Sequence, residues 1–218
     1  MPATRSARRL ARLRVTVVGA GRAGSFACLA LGMAGIRRVR VFDHDHLDPD
    51  RNLGVQLYRA TDVHRRRPKV EALRDLLGDL CPGLAVEGVM SAFPPAPPIA
   101  AGPVVLLAVD TMESRRRSMV ALGSDRTVAC LVDLRLGGSV VRCHSYRSRE
   151  GIRAAREQLY TDEGSWGAAC ADSPDPHAAL AAASIATAAV LAFVRGEAYP
   201  TDVVMDLGAE PCVVVAAG

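Results

Sequence analysis

Gly19, Gly21 and Gly24 stand at G-x-G-x-x-G spacing inside VTVVGAGRAGS, between a β-branched run and an alanine-rich segment. That spacing suits phosphate chemistry. Glycine permits a tight turn and lets an anion approach free backbone N–H groups at a helix N-terminus. Asp43 follows Gly24 by 19 residues, at the end of the next β-branched run, where a carboxylate suits a ribose hydroxyl. These residues alone point to NAD as readily as to ATP, and a tight turn that binds nothing is the plain alternative. Lys69 is the only lysine among 27 basic residues, so a compact point charge survives in an arginine-rich chain. Taken singly, the other candidates also have plain readings. Lys69 could be a solvated helix residue, and Asp43, Asp45, Asp48 and Asp50 an exposed acidic loop. Asp110 could cap a helix, and Arg115, Arg116 and Arg117 could form a solvated run.

The elements that must hold these groups alternate in type. Strands are predicted at 15–18, 39–42, 84–90, 104–109 and 127–132, the second ending at Asp43, the fourth at Asp110 and the last at Asp133. Helices are predicted after the glycine turn, from Pro68 over PKVEALRDLLGDL, and over 112–122. FPPAPPIAAGP is a proline-rich connector. The pattern predicts an α/β fold, a Rossmann-like doubly wound sheet, mostly parallel, with a small C-terminal antiparallel and helical lobe. The domain plan is a basic arm over 1–13 and a single domain over 14–218. Its nucleotide-binding half covers 14–138, and the lobe over 139–218 is expected to pack over the sheet. The lobe is read as a strand at 140–144, a short helix at 151–160, a polar loop, a buried alanine-rich helix at 178–194, and two strands near 203–205 and 212–215.

Composition bounds the possible functions. Half the residues are apolar, which excludes intrinsic disorder. A formal charge of +4 is weak support for nucleic acid, and an aromatic content of 4% argues against base stacking. No nucleic-acid partner is expected. The six cysteines (28, 81, 130, 143, 170 and 212) form no C-x-x-C pair, so no structural zinc site or disulfide framework is expected. The basic N-terminus lacks an export h-region, and the 178–194 run is short and weakly hydrophobic for a membrane span. A cytoplasmic chain with no membrane partner is expected.

FDHDHLDPDRNLGVQLY, RRPKVEAL and LLAVDTMESRRR, in that order, resemble the ThiF/MoeB/HesA family, whose fold is shared by ubiquitin-activating enzymes. The resemblance covers roughly 14–138. Asp43 and Asp45 match its Asp-x-Asp, and Asn52, Leu53 and Gln56 match Asn-Leu-x-Arg-Gln. Pro68 to Glu71 match Pro-Lys-Val-Glu, while Asp110 and Arg115 match Thr-Asp-Asn-x-x-x-Arg. The family adenylates a C-terminal carboxylate with Mg-ATP. The resemblance implies ATP and Mg2+ as cofactors, Asp43 on the ribose, Lys69 and Asn52 on the phosphates, and Asp110 on the magnesium. It also implies catalytic roles for Lys69, Asp110 and Arg115, a small protein or peptide with a free C-terminal carboxylate as partner, and a homodimer. LVDLRLGG, with Asp133 and Arg135, resembles a short bacterial and phage-type branch in which a lone cysteine precedes the final helix. Cys170 holds that position and is the candidate for a thioester step after adenylation.

The sequence departs from the family pattern at three places. Val55 stands where the family has arginine, so a phosphate contact is missing or comes from Arg51 or Arg59. Arg22 replaces a glycine and adds a cation to the phosphate turn. No Arg-Tyr-x-Arg-Gln helix precedes the first strand, so an arginine supplied in trans would come from Arg5, Arg8, Arg9 or Arg12. Two alternatives remain at this level. An NAD(P)-dependent oxidoreductase explains the glycine turn and Asp43, but gives no joint role to Asn52, Lys69 and Asp110. A catalytically reduced scaffold partnering an active relative fits the departures.

Overall fold

A computed structural model describes residues 5–52, 54–159, 176–208 and 212–216. The β-branched runs become strands β1 (Arg14–Val18), β2 (Arg38–Asp43), β3 (Ala85–Met90) and β4 (Val104–Leu107), followed by β5 (Cys130–Gly137), β6 (Val140–Tyr146), β7 (Asp202–Asp206) and β8 (Cys212–Ala216). They form one sheet of eight strands in the order β3-β2-β1-β4-β5-β6-β7-β8. The first five pair in parallel, and β6, β7 and β8 add antiparallel strands. The strand order reverses between β1 and β4. Ligands of open α/β sheets bind at that point, outside the strands' C-terminal ends.

The helices are α1 (Arg5–Arg12), α2 (Arg22–Met33), α3 (Pro49–Asn52), α4 (Ala60–His64), α5 (Lys69–Leu80), α6 (Met112–Ser124), α7 (Arg149–Ala154) and α8 (Pro176–Arg195). Buried residues of α2, α5 and α8 (Leu31, Leu73, Leu77, Ala182, Val190) pack on one face against Val15, Val17, Val104 and Val132. Met119 and Leu122 of α6 and Ile152 of α7 pack on the other face against Val105, Leu107 and Leu131. Two apolar layers sandwich the sheet, as the alternating pattern requires. The α8 helix is long and apolar enough to cross a membrane by composition, with a mean hydropathy of 1.9, yet it carries much of the first layer.

Four sequence expectations change in detail. The fifth strand does not end at Asp133 but continues to Gly137, because β5 and β6 form a hairpin whose turn uses Gly138 at φ +59°. The C-terminal lobe packs over the sheet through α8, and it also extends the sheet by three strands. The short helix starts at Arg149, where the Ser148 hydroxyl caps it by accepting from the Gly151 N–H at 3.0 Å, and a 3-10 turn follows over Ala155–Gln158. Within the basic arm, residues 5–12 form a helix, with Leu10 buried in the same layer as α8.

Candidate nucleotide-binding site

The glycine turn is shaped by close backbone approach. Gly19 leaves β1 at φ +96°, and a Cβ there would lie 2.6 Å from the Ala108 carbonyl oxygen. A Cβ on Gly24 would lie 1.9 Å from the Gly19 carbonyl oxygen, so both positions require glycine. Gly21 differs, because a Cβ there would meet open space. It is also the N-cap of α2, and among the described residues no side chain caps the first-turn N–H groups of Ala23 and Gly24, which suit an anion. Arg22 is the first residue of that helix.

Asp43 clamps this turn to β2. One carboxylate oxygen accepts from the Ala20 N–H at 2.6 Å and the other from the Asp45 N–H at 2.8 Å. Each oxygen keeps a second lone pair for a ribose hydroxyl. Two residues beyond the sequence reading tie the Gln56–Arg59 segment to the same turn. The Tyr58 hydroxyl donates to the Ala20 carbonyl at 2.5 Å, and the Ser25 hydroxyl accepts from the Leu57 N–H at 3.2 Å. Their positions gave a faint signal, since Ser25 follows the third glycine and Tyr58 follows Gln56 by two.

Lys69 opens α5 and is 8% exposed. Its Nζ donates to the Asp45 carboxylate at 2.8 Å, and its backbone N–H donates to the Asp45 carbonyl at 3.0 Å. Partial burial raises the Asp45 carboxyl, but the Lys69 hydrogen bond and charge, with His44 and Arg51, outweigh it and hold the group below its ordinary value. Asn52 is buried, with its Oδ1 accepting from the Asp48 N–H at 2.6 Å. Gln56 Oε1 is buried and has no hydrogen-bond partner among the described residues. Leu53 lies outside the described residues. Arg59, one substitute for the arginine absent at Val55, is engaged by Asp62 and Asp79. Arg51 is exposed.

Asp110 follows β4 and is exposed, and among the described residues nothing hydrogen-bonds to its side chain. It does not cap α6. Thr111 does, its hydroxyl accepting from the Ser114 N–H at 3.2 Å. Arg115 faces the interior. It is 2% exposed, pairs with the fully buried Asp133, and donates to the Val109 carbonyl oxygen at 2.5 Å.

Gly19, Gly21, Gly24, Arg22, Asp43 and Asp110 therefore come from the C-terminal edge of β1, β2 and β4, with Lys69 and Asp45 bonded into the same assembly. Three observations fit a magnesium nucleotide. Among the described residues no side chain caps the N-terminus of α2, the buried Gln56 Oε1 beside the segment tied to the turn has no hydrogen-bond partner, and nothing bonds to the Asp110 carboxylate. Asp43, His44 and Asp45 could also gather around a cation, with ligand atoms within 4.8 Å of one another, but Lys69 already engages Asp45. Cys170 lies outside the described residues. Cys28, Cys81, Cys130 and Cys143 are buried free thiols, and burial pushes Cys28 and Cys130 up to about 12.

The strand order and the convergence of these groups on one sheet edge make the molecule a Rossmann-type α/β protein with a candidate nucleotide site. It belongs to the ThiF family, whose family model matches residues 3–132. No curated protein sequence matches the chain at a significant level. Among solved structures, PaaA superposes with a TM-score of 0.71 at 18% identity, over 96% of this chain and 75% of PaaA. Escherichia coli MccB with ATP gives 0.71 at 13% identity, over 97% of this chain and 65% of MccB. The same enzyme with MccA gives 0.71 at 12% identity, over 97% of this chain and 66% of MccB. At these identities the likeness is one of fold, and the chain spans about two thirds of MccB.

Proposed function

We propose that the protein is an ATP-dependent adenylyltransferase that activates the C-terminal carboxylate of a small protein or peptide. The observation that carries this reading is the assembly, at one sheet edge of a ThiF-family chain, of a glycine turn without a side-chain cap, a buried lysine and an aspartate with no side-chain partner among the described residues. The carboxylate is ionised near neutral pH and needs no general base. Its oxygen attacks the α-phosphorus of ATP, the bond to the β-phosphate oxygen breaks, and pyrophosphate leaves with the electron pair. The obstacle is the approach of one anion to another. The first-turn N–H groups of α2 and the Lys69 ammonium answer it by holding negative charge. Asp43 accepts from the ribose and Gln56 Oε1 gains a donor. Asp110 would hold magnesium, which supplies neutralisation of phosphate charge when bound. MccB, which has the same fold, binds ATP and MccA in its solved complexes, and that supports the choice of ATP over a dinucleotide.

Thermal-shift titration with ATP, NAD and NADP tests the nucleotide, and pyrophosphate exchange with candidate C-terminal peptides tests the reaction. Stabilisation by Mg-ATP alone, with acceptor-dependent exchange, is the expected result. A second reading draws on Val55 and on the engagement of Arg59 by Asp62 and Asp79. A scaffold partnering an active relative would bind ATP and give no exchange with any acceptor. A homodimer and a cytoplasmic location accompany the main reading, and light scattering checks the dimer. A thioester step would fall outside the four buried cysteines. A conjugate cleaved by thiol, and abolished in Cys170→Ala, is its test.

A further inference from the structure

Asp133 is fully buried, and a carboxylate without water must be paired. It is bonded by two buried arginines, Arg115 from α6 and Arg135 from its own strand, the latter at 2.9 Å through Nε. Buried ionic triads of this kind seldom add stability over apolar replacements, so a geometric role is the better account of this one. Arg115 reveals that role. One terminal nitrogen meets Asp133, and the other donates to the Val109 carbonyl oxygen. A peptide unit is planar, so fixing that oxygen fixes the amide nitrogen and Cα of Asp110. The Thr111 cap fixes the chain on the other side. The backbone of Asp110 is thus held at both flanks while its carboxylate stays free.

We propose that Asp133, acting through Arg115, is a positioning residue that presents the Asp110 carboxylate to the metal of a bound nucleotide. On this view Arg115 touches neither substrate nor phosphate. The inference rests on the nucleotide reading above, and two matched variants separate it from a purely structural triad. Arg115→Lys keeps the charge beside Asp133 but cannot bridge two acceptors as the planar fork does. Arg135→Lys makes the same change on the other side of Asp133, where no contact with Val109 exists. Calorimetry measures ATP affinity in EDTA and across a magnesium series.

Arg115→Lys should leave affinity in EDTA within about twofold of wild type and raise the magnesium concentration for half-maximal effect by about tenfold or more. Arg135→Lys should keep the wild-type magnesium dependence. Should Arg115→Lys fail to fold, Asp133→Asn, which preserves volume and both arginines, predicts the same magnesium shift. A wild-type magnesium dependence in a folded Arg115→Lys or Asp133→Asn variant overturns the proposal, as do equal shifts in the two lysine variants. A wild-type protein that binds no ATP overturns the nucleotide reading first, and this inference with it.

Discussion

At the C-terminal edge of β1, β2 and β4, polar side chains are anchored by backbone groups and a functional atom is left over. Asp43 holds two N–H groups, Lys69 is tied down at both its backbone and its ammonium, and Asp110 is held through its neighbours. Across β5, β6 and β7 charge is handled differently. His144 and Asp202 are register partners, and Arg142 pairs with Asp202 through two nitrogens at 3.2 and 2.6 Å. There the charges answer one another across strands. One region holds polar groups ready for a ligand, and the other uses them to set strand register.

The glycine turn offers the largest break in this comparison. Gly24→Ala places a methyl 1.9 Å from a backbone oxygen, which the chain cannot relieve by rotating a side chain. The expected cost is about 3 kcal/mol of stability, with loss of ATP binding. Gly21→Ala meets nothing within 4 Å and should fold within about 1 kcal/mol of wild type. Its methyl enters the space before α2 and should weaken ATP about tenfold. Thermal unfolding and calorimetry read both variants. Equal destabilisation would mean that the open space at Gly21 has no special use.

Lys69→Ala and Asp110→Ala should each slow pyrophosphate exchange on the order of 100-fold while circular dichroism stays unchanged. In the antiparallel region Arg142→Ala should do the opposite, costing about 1 kcal/mol of stability and leaving exchange intact. If Arg142→Ala abolishes exchange in a folded protein, the boundary between the two regions is misplaced.

The first region was largely legible in the sequence because its constraints are local. Only glycine serves at Gly19 and Gly24, and a β-branched run ending in aspartate locates Asp43 at the end of β2 and Asp110 three residues beyond β4. The contribution of Asp133 was not legible. It depends on Arg115 reaching across from α6, and on a β5 that continues past Asp133 into a hairpin with β6. A run of three arginines at 115–117 reads as a solvated stripe, and only packing sends the first of them inward while the other two stay exposed. His144 and Asp202 lie far apart in sequence and meet only through strand register. Tyr58 could be seen next to the Gln56 motif, but its bond to Ala20 depends on a fold-back that no periodicity signals.

Proton linkage sharpens the contrast. His144 is 5% exposed, and burial, then the Arg135 charge, push its imidazole below the ordinary 6.5 against the opposing carboxylates of Asp133 and Asp202, with Arg142 adding to the lowering. A folded value below the unfolded one means that the unfolded chain takes up protons first as pH falls. Stability is then full above the unfolded value and declines as pH drops from about 7 towards 5. Asp202 acts in the same direction at lower pH. Burial raises its carboxyl, but Arg142 and His144 bring it below its ordinary value. Calorimetric melting should show a wild-type slope in this window that flattens in His144→Gln, with ATP affinity unchanged. An undiminished slope would assign the titration to another group.

Tyr58→Phe should give the smallest effect, and it tests whether the Gln56–Arg59 segment belongs to the nucleotide region or merely lies beside it. The hydroxyl donates to the Ala20 carbonyl at 2.5 Å, and Ala20 is the residue whose N–H is held by Asp43. Removing the hydroxyl leaves a buried acceptor short of one partner, a loss of about 1 kcal/mol. If the bond only stabilises the fold, melting falls and ATP affinity measured on folded protein is unchanged. If it also holds the turn in its binding geometry, part of the loss appears as a fewfold weaker ATP affinity. Gln56 lies two residues before Tyr58, and under the proposed function its buried oxygen would reach the nucleotide only while the segment stays docked. The second outcome is therefore expected. Gln56→Leu made together with Tyr58→Phe should weaken ATP by less than the product of the two single effects, because both act through one docked segment. Full multiplicativity would assign the tyrosine to stability alone.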